Sequence, residues 1–417
     1  MRHTNPPFRV VITGYGAVTP LGGTAAESWQ AIMDYREGYR YVDMSSYNIH
    51  TRFLGQLDNE PSLKGVPAAI RRRLPRHARL ALGAAREAMQ MAFGEFSPQT
   101  FYDPLMCGAV IGTGWAGLDE NYKVVSEFER KGLSSPFNCF FSMPNVTTAA
   151  CSQLWNLRGY QNTPVAACAT GTIAVGEAYD AIRFGRASMM LAGAGESLNS
   201  RYAIWNIDVL GALSRETEDP QHASCPFSLQ RSGFVLAEGG AVLCLEERES
   251  AIARGATIFA EITGYANFSD AADFTSPAED CVAREQTIRW ALRSAGVQPD
   301  DLDYINAHGT STPLNDANET LSLKKALGAA AYRVPVSSTK AYSGHLIGAA
   351  GSFETIVCLQ AMSAGIMPAT AHLTQPDPQC DLDYIPEGHR QGEIRCALNL
   401  SFGFGGANAA LVLEKHA

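Results

Sequence analysis

Pro164-Val165-Ala166-Ala167-Cys168-Ala169-Thr170-Gly171-Thr172 is an apolar run that turns abruptly into a helix start made of small residues. Val165–Ala167 read as the buried end of a strand, and the helix that opens at Thr170 carries almost no charge in its first turns. A thiol at such a helix N-terminus feels the positive end of the backbone dipole, which lowers a cysteine pKa from about 8.5 toward roughly 3.5–7.5. Small neighbours let the chain turn sharply and leave room for an adduct on the sulfur. Cys168 is therefore a candidate nucleophile.

Moving outward, Ala166–Arg186 has a partner in Gly344–Gly365, which also runs from a small-residue turn into an Ala-rich apolar helix. This hints at a duplicated architecture. β-Branched runs that read as strands occur at Arg9–Thr13, Cys107–Gly112, Met189–Ala194, Gly240–Leu245, Ile258–Ile262, Val334–Ser337 and Ala407–Leu413. Between them lie helical stretches such as Arg79–Phe93, Thr172–Arg183, Glu285–Ser294 and Gly351–Ala364. Alternation of this kind predicts α/β layers around buried sheets. No Pro/Ser-rich linker or low-complexity tract divides the chain.

Two histidine turns stand far downstream, in Asn306-Ala307-His308-Gly309-Thr310-Ser311-Thr312 and in Ser338-Thr339-Lys340-Ala341-Tyr342-Ser343-Gly344-His345. His308 closes a strand-like Leu302–Asn306 on a Gly turn, a placement that aims an imidazole into a cleft. Thr310 and Thr312 supply hydroxyls for an extended substrate arm. His345 sits between glycines at the start of an apolar helix. Glu354, inside Phe353–Leu359, would be buried and needs a cation, for which Lys340 is the candidate. One thiol and two imidazoles on tight turns point to acyl transfer through a cysteine thioester.

Composition limits the alternatives. The 417 residues are 46% hydrophobic and 18% charged, as expected of an ordered globule. A net charge of -9 argues against nucleic acid as a partner, and no apolar run is long enough to span a bilayer. The expected location is cytoplasmic. Ten cysteines include no C-x-x-C pair, and Cys107, Cys244, Cys358 and Cys396 lie in apolar stretches, so no metal site is expected. Gly112-Thr113-Gly114-Trp115-Ala116-Gly117 formally matches a dinucleotide-binding loop, but the acidic residue ending a second strand is missing. The one dense basic patch, Arg71, Arg72 and Arg73 with Arg76 and Arg79, is a candidate docking surface for an acidic partner.

With these loops side by side, the chain resembles the β-ketoacyl-acyl-carrier-protein synthases, in particular the elongating KAS II type and type II polyketide ketosynthase subunits. The likeness starts at Val10-Val11-Ile12-Thr13-Gly14 and ends at Phe402-Gly403-Phe404-Gly405-Gly406-Ala407-Asn408. It includes Ala167-Cys168, His308-Gly309-Thr310-Ser311-Thr312-Pro313 and Ser338-Thr339-Lys340 with Gly344-His345-Leu346. The resemblance implies a thiolase fold of duplicated βαβαβαββ halves in five layers (α-β-α-β-α), with residues 1–255 carrying the cysteine and 256–417 the histidines. It implies decarboxylative condensation of a malonyl thioester with an acyl chain on Cys168, catalysed with His308, His345 and Lys340. Glu354 and Asp316 are expected to fix the imidazoles, and Phe404, between glycines, to gate the site. No cofactor is expected beyond the phosphopantetheine arm of acyl carrier protein, the partner implied for Arg71–Arg73. The resemblance also implies a dimer, either of identical chains or with a Cys-less homologue. A housekeeping fatty-acid synthase and a non-catalytic chain-length-factor-like subunit are the alternatives, and Cys168 speaks against the second. Trp115 stands where a smaller apolar residue is usual beside the acyl pocket, and Cys225-Pro226-Phe227-Ser228 replaces an Arg-Pro-Phe/Trp-Asp run. Both departures favour a specialised type II pathway.

Overall fold

The computed structural model describes residues 7–416. Ten strands build one continuous sheet: β1 (Val10–Val18), β2 (Cys107–Gly112), β3 (Gln161–Asn162), β4 (Met189–Glu196), β5 (Gly239–Glu247), β6 (Ala260–Ser269), β7 (Tyr304–Asn306), β8 (Val336–Ser337), β9 (Cys396–Gly403) and β10 (Ala407–Glu414). Their spatial order is β8-β7-β9-β10-β6-β1-β5-β4-β2-β3. On one side β3, β2 and β4 run parallel, then β5 and β1 turn antiparallel. On the other, β8, β7 and β9 run parallel, then β10 and β6 turn antiparallel. The seam between these matching halves is three residue pairs, Val10↔Ile262, Val11↔Glu261 and Ile12↔Ala260.

Helices complete five layers. α1 (Arg76–Phe93) and α2 (Val146–Trp155) cover the outer face of the first sheet half. α3 (Thr170–Arg183) packs between the halves, and α4 (Val282–Ala295) and α5 (Pro313–Leu327) cover the second half from outside. α6 (Ala350–Ala364) lies against α3, β5 and β9. It is buried from Ala350 to Met362, as an all-round apolar helix must be. The α3–α6 crossing depends on small residues. A Cβ on Gly351 would stand 2.1 Å from Thr172 Oγ1, and one on Gly171 would stand 2.6 Å from the Ser352 backbone nitrogen. Those two helices follow the Cys168 and His345 turns, so their close approach brings the turns together.

The expected strands and helices lie inside the observed ones or overlap them, with two instructive differences. β1 continues past Thr13 to Val18, because pairing with β5 runs on from Gly14↔Cys244 to Val18↔Gly240 after a register shift. β9 has weak strand formers at Asn399 and Ser401, yet it is buried on both faces. There Asn399 Nδ2 donates to Gly351 O and Thr355 Oγ1, each at 2.9 Å, and Ser401 Oγ lies 2.7 Å from Thr172 Oγ1.

Candidate active site

Cys168 occupies a single 3₁₀ turn, Ala167–Ala169, that leads straight into α3. Ala167 has φ +45°, a left-handed conformation that costs a non-glycine residue about 1–3 kcal/mol and needs support from its surroundings. Thr170 provides it: its hydroxyl accepts from the Ala166 N–H at 2.9 Å and donates to Ala167 O at 2.8 Å. The end of β9 presses in from the other side. A Cβ on Gly403 would meet Ala166 O at 2.8 Å and the Cys168 nitrogen at 3.2 Å, so this strand end has to be glycine. Next in the chain, the Phe404 N–H is directed at the Cys168 thiol.

His308 follows β7 on a turn held through its main chain. Glu319, from α5, accepts the N–H groups of His308 and Gly309, each at 2.8 Å. Lys340 Nζ donates to His308 O at 2.6 Å and forms a fully buried ion pair with Glu354. His345 Nδ1 accepts from the Ile347 N–H at 3.2 Å, which leaves Nε2 as the proton-bearing nitrogen of the neutral ring. That Nε2 is buried and has no partner, an unused donor. The two imidazoles meet edge to face with centroids 5.4 Å apart. Cys168 Sγ and one ring nitrogen from each histidine lie within 4.8 Å of one another. Thiolate and imidazole also suit zinc, but a nitrogen that carries its proton toward the sulfur is a donor and not a metal ligand.

Burial sets the charge states. Both histidines are held well below the usual imidazole range, first by burial and then by the nearby Lys340 charge. Both rings are therefore neutral at physiological pH. Glu354 is pushed up to about 7 by burial, with Lys340 pulling the other way. Cys168 departs from the sequence expectation. Burial pushes its thiol up to about 12, against the pull of Lys340 and the Phe404 N–H. Desolvation is the largest influence on the sulfur, so the thiol keeps its proton and that proton moves as the sulfur reacts.

The trio sits on the wall of a cavity of about 330 Å³, lined toward solvent by Thr310, Thr312, Leu314 and Phe274. The Thr310 and Thr312 hydroxyls lie 2.9 Å apart, and Phe404 is also on the wall. On the far side, Cys168 belongs to an apolar cluster with Leu198, Ile204, Ile207 and Ile347, against which Trp115 packs half-buried. The cysteine thus stands between a polar approach and a packed apolar cluster.

Two other expectations are revised. Asp316 was expected to fix an imidazole, but its carboxylate accepts the Phe227 N–H at 2.8 Å, receives Asn315 Nδ2 at 3.2 Å and faces Arg231 at 3.7 Å. It touches neither imidazole: it holds the 225–231 loop and the Thr310 N–H of the His308 turn, while Glu319, one turn further along α5, accepts the His308 N–H itself. The buried face Asn315, Asp316, Glu319, Leu323 has helical spacing and carries two carboxylates, a signal in the sequence that pointed to Glu319. The basic patch is also thinner than five arginines. The Arg73 guanidinium lies over Phe137 and Phe140 at 5.2 and 5.0 Å, and Arg76 and Arg79 pair with Glu60 and Glu238. Arg71 and Arg72 remain exposed. Glu196 was also unforeseen: it ends β4 buried, and it accepts backbone N–H groups of Gly114, Gly348, Ser197 and Trp115.

Family models for "Beta-ketoacyl synthase, N-terminal domain" and "Beta-ketoacyl synthase, C-terminal domain" match residues 8–251 and 259–374. The chain is 36% identical over 98% of both lengths to 3-oxoacyl-[acyl-carrier-protein] synthase 2 of Synechocystis sp.. It is 38% identical over 97% of both to putative polyketide beta-ketoacyl synthase 1 of Streptomyces halstedii. Among solved structures, a chain of the AntDE:AntF complex, a type II PKS acyl-carrier protein with its ketosynthase bound to the hexaketide, superposes with TM-score 0.90 at 32% identity. That match covers 98% of this chain and 100% of the other. A beta-ketoacyl synthase from Burkholderia phymatum gives TM-score 0.91 at 32% identity with the same coverage. The five layers and the full-length likeness agree on one ancestry, and the chain belongs to the beta-ketoacyl synthase family.

Proposed function

We propose that this chain is a 3-oxoacyl-[acyl-carrier-protein] synthase that extends an acyl chain by decarboxylative Claisen condensation in a type II fatty-acid-like or polyketide pathway. The observation that carries the reading is the convergence of the Cys168 sulfur and two neutral imidazoles within 4.8 Å at the head of a substrate-sized cavity. Cys168 Sγ attacks an acyl thioester, and its proton passes to the departing pantetheine sulfur, so acylation is charge-neutral. The tetrahedral oxyanion is held by the N–H groups of Cys168 and Phe404. A malonyl thioester then enters along Thr310 and Thr312, and its carbonyl accepts hydrogen bonds from His308 and His345. Loss of CO₂ leaves an enolate on that oxygen; its carbon attacks the Cys168 thioester, the carbon–sulfur bond breaks to give the β-ketoacyl product, and the released Cys168 sulfur takes up one proton from solvent. Lys340 and Glu354 hold the His308 turn, and burial, with the Lys340 charge, keeps both rings neutral.

The halves 1–255 and 256–417 divide this labour between nucleophile and imidazoles. Trp115 bounds the space for the growing chain, and Phe404 moves on the glycines that follow it, Gly405 and Gly406, which have φ +80° and +77°. Carrier protein docks through Arg71 and Arg72, with Arg73 as a rim held by two aromatic rings. The enzyme works in the cytoplasm as a dimer, with itself or with a Cys-less homologue, and uses no cofactor beyond the carrier's pantetheine arm. The test is a reconstituted reaction with acyl-carrier and malonyl-carrier thioesters. Release of CO₂ together with a 3-oxoacyl product supports the reading, and acyl loading with no carbon–carbon bond formed refutes it.

A further inference from the structure

Arg284 is a buried cation that no carboxylate among the described residues pairs with directly. It comes from α4, is 5% exposed, and lays its guanidinium on the Phe402 ring at 4.3 Å. Its one side-chain hydrogen bond among the described residues runs from Nη1 to the neutral Oδ1 of Asn315 at 3.0 Å, and its Nε has no partner. Arg231, in contrast, pairs with both Asp316 and Asp377. Glu319, Asp270 and Asp316 act on Arg284 only through space. Among the described residues lining the catalytic cavity, Arg284 is the only Lys or Arg. The one carboxylate on that wall, Asp270, is already engaged by Asn408 Nδ2 at 2.7 Å. An unpaired charge is costly to bury, and a guanidinium with free N–H donors in a cavity wall is suited to a planar anion.

The proposed condensation uses two substrates that differ in charge. The acyl donor is neutral and leaves its chain on the apolar side of Cys168. The extender carries a free carboxylate and must lie on the polar side, with His308, Thr310 and Thr312. We propose that Arg284 is a specificity-determining residue that recognises the free carboxylate of a malonyl-class extender, an inference that rests on the ketosynthase reading above. The carboxylate leaves as CO₂, so a contact made to it is present in the bound substrate and fades in the transition state. Such a contact lowers KM without raising kcat.

The test is Arg284→Met in the full-length enzyme, assayed with hexanoyl-pantetheine for Cys168 acylation and malonyl-pantetheine for extension. The expected result is a malonyl KM raised about tenfold to a hundredfold, with kcat not lowered and the hexanoyl acylation rate within a factor of about two. Arg284→Gln, which keeps a planar hydrogen-bonding group, gives a second measurement if the Met variant does not fold, and Arg284→Lys should recover part of the affinity. A parallel fall in acylation and extension, or an unchanged malonyl KM in both neutral variants, overturns the assignment. Failure of the unmodified enzyme to decarboxylate malonyl-pantetheine would instead overturn the ketosynthase reading itself.

Discussion

The turn around Cys168 and the turn around Gly348 have the same backbone and opposite contents. Ala167 and Ile347 are left-handed at φ +45° and +48°, and each opens a three-residue 3₁₀ turn that runs directly into a buried helix. Counted from these residues, Cys168 corresponds to Gly348. The eight-residue strands β4 and β9 correspond likewise, which places Glu196 opposite Gly403 and Ser197 opposite Phe404. In the first half the sulfur faces a strand end with no side chain. In the second, a Cβ on Gly348 would stand 3.0 Å from a Glu196 carboxylate oxygen. That carboxylate accepts the N–H groups of Gly348 and Ser197, the counterparts of Cys168 and Phe404. The silent half therefore holds a carboxyl oxygen in the cup that the active half leaves open, which supports placing the oxyanion between the Cys168 and Phe404 N–H groups.

The largest effects should come from the open half. Cys168→Ala should lower condensation by at least about a thousandfold, measured as 3-oxoacyl product, because no other thiol reaches the imidazoles. Cys168→Gln should still release CO₂ from malonyl thioesters, since the histidines handle the enolate separately. That rate should stay level from pH 8 to about pH 6, because both imidazoles are held well below their usual range and remain neutral there. An acid limb centred at or above 6.5 would show that one ring works as a cation. A smaller effect separates the two glycines. Gly403→Ala drives a Cβ against Ala166 O and the Cys168 nitrogen and should slow Cys168 acylation about tenfold to a hundredfold. Gly348→Ala crowds the Gly114 nitrogen at 2.6 Å and should cost stability while acylation falls less than about tenfold. Equal acylation losses in both variants would end the asymmetry argument.

Much of this asymmetry was legible in the residues, and some of it was not. The helix starts after Cys168 and His345 were visible because small apolar residues at a strand-to-helix junction have few other uses. The Lys340–Glu354 pair followed from a carboxylate in an apolar helix that had to find a cation. β9 was hidden because Asn399 and Ser401 satisfy their polar groups through α6 and α3, partners distant in sequence. Arg73, Arg76 and Arg79 read as a free basic patch because Phe137, Phe140 and Glu238, which engage Arg73 and Arg76, are likewise far along the chain, and Glu60, which engages Arg76 and Arg79, stands in an irregular loop whose path local sequence does not set. The thiol pKa failed for a related reason. A helix start can be read locally, whereas the depth of burial around Cys168 depends on both halves.

The smallest predicted effect concerns the filled half. Burial pushes Glu196 up to about 7 despite its four backbone donors. Between the unfolded carboxylate range near 4.5 and about 7, the folded protein binds more protons at this site than the unfolded chain does. Stability linked to Glu196 is then fully present at low pH and is lost as the pH rises through that window. Glu196→Gln keeps the shape of the protonated acid and cannot titrate. The Tm difference, variant minus unmodified protein, should therefore move in the variant's favour by about 1–4 °C between pH 5 and pH 8. Glu354, also pushed to about 7, contributes to both proteins alike and cancels in the difference. A Tm difference that stays constant, or moves the other way, would mean that Glu196 is already ionised well below pH 7. The N–H cup would then stabilise an anion more strongly than burial opposes it, and the same cup around Cys168 would be a correspondingly better oxyanion hole.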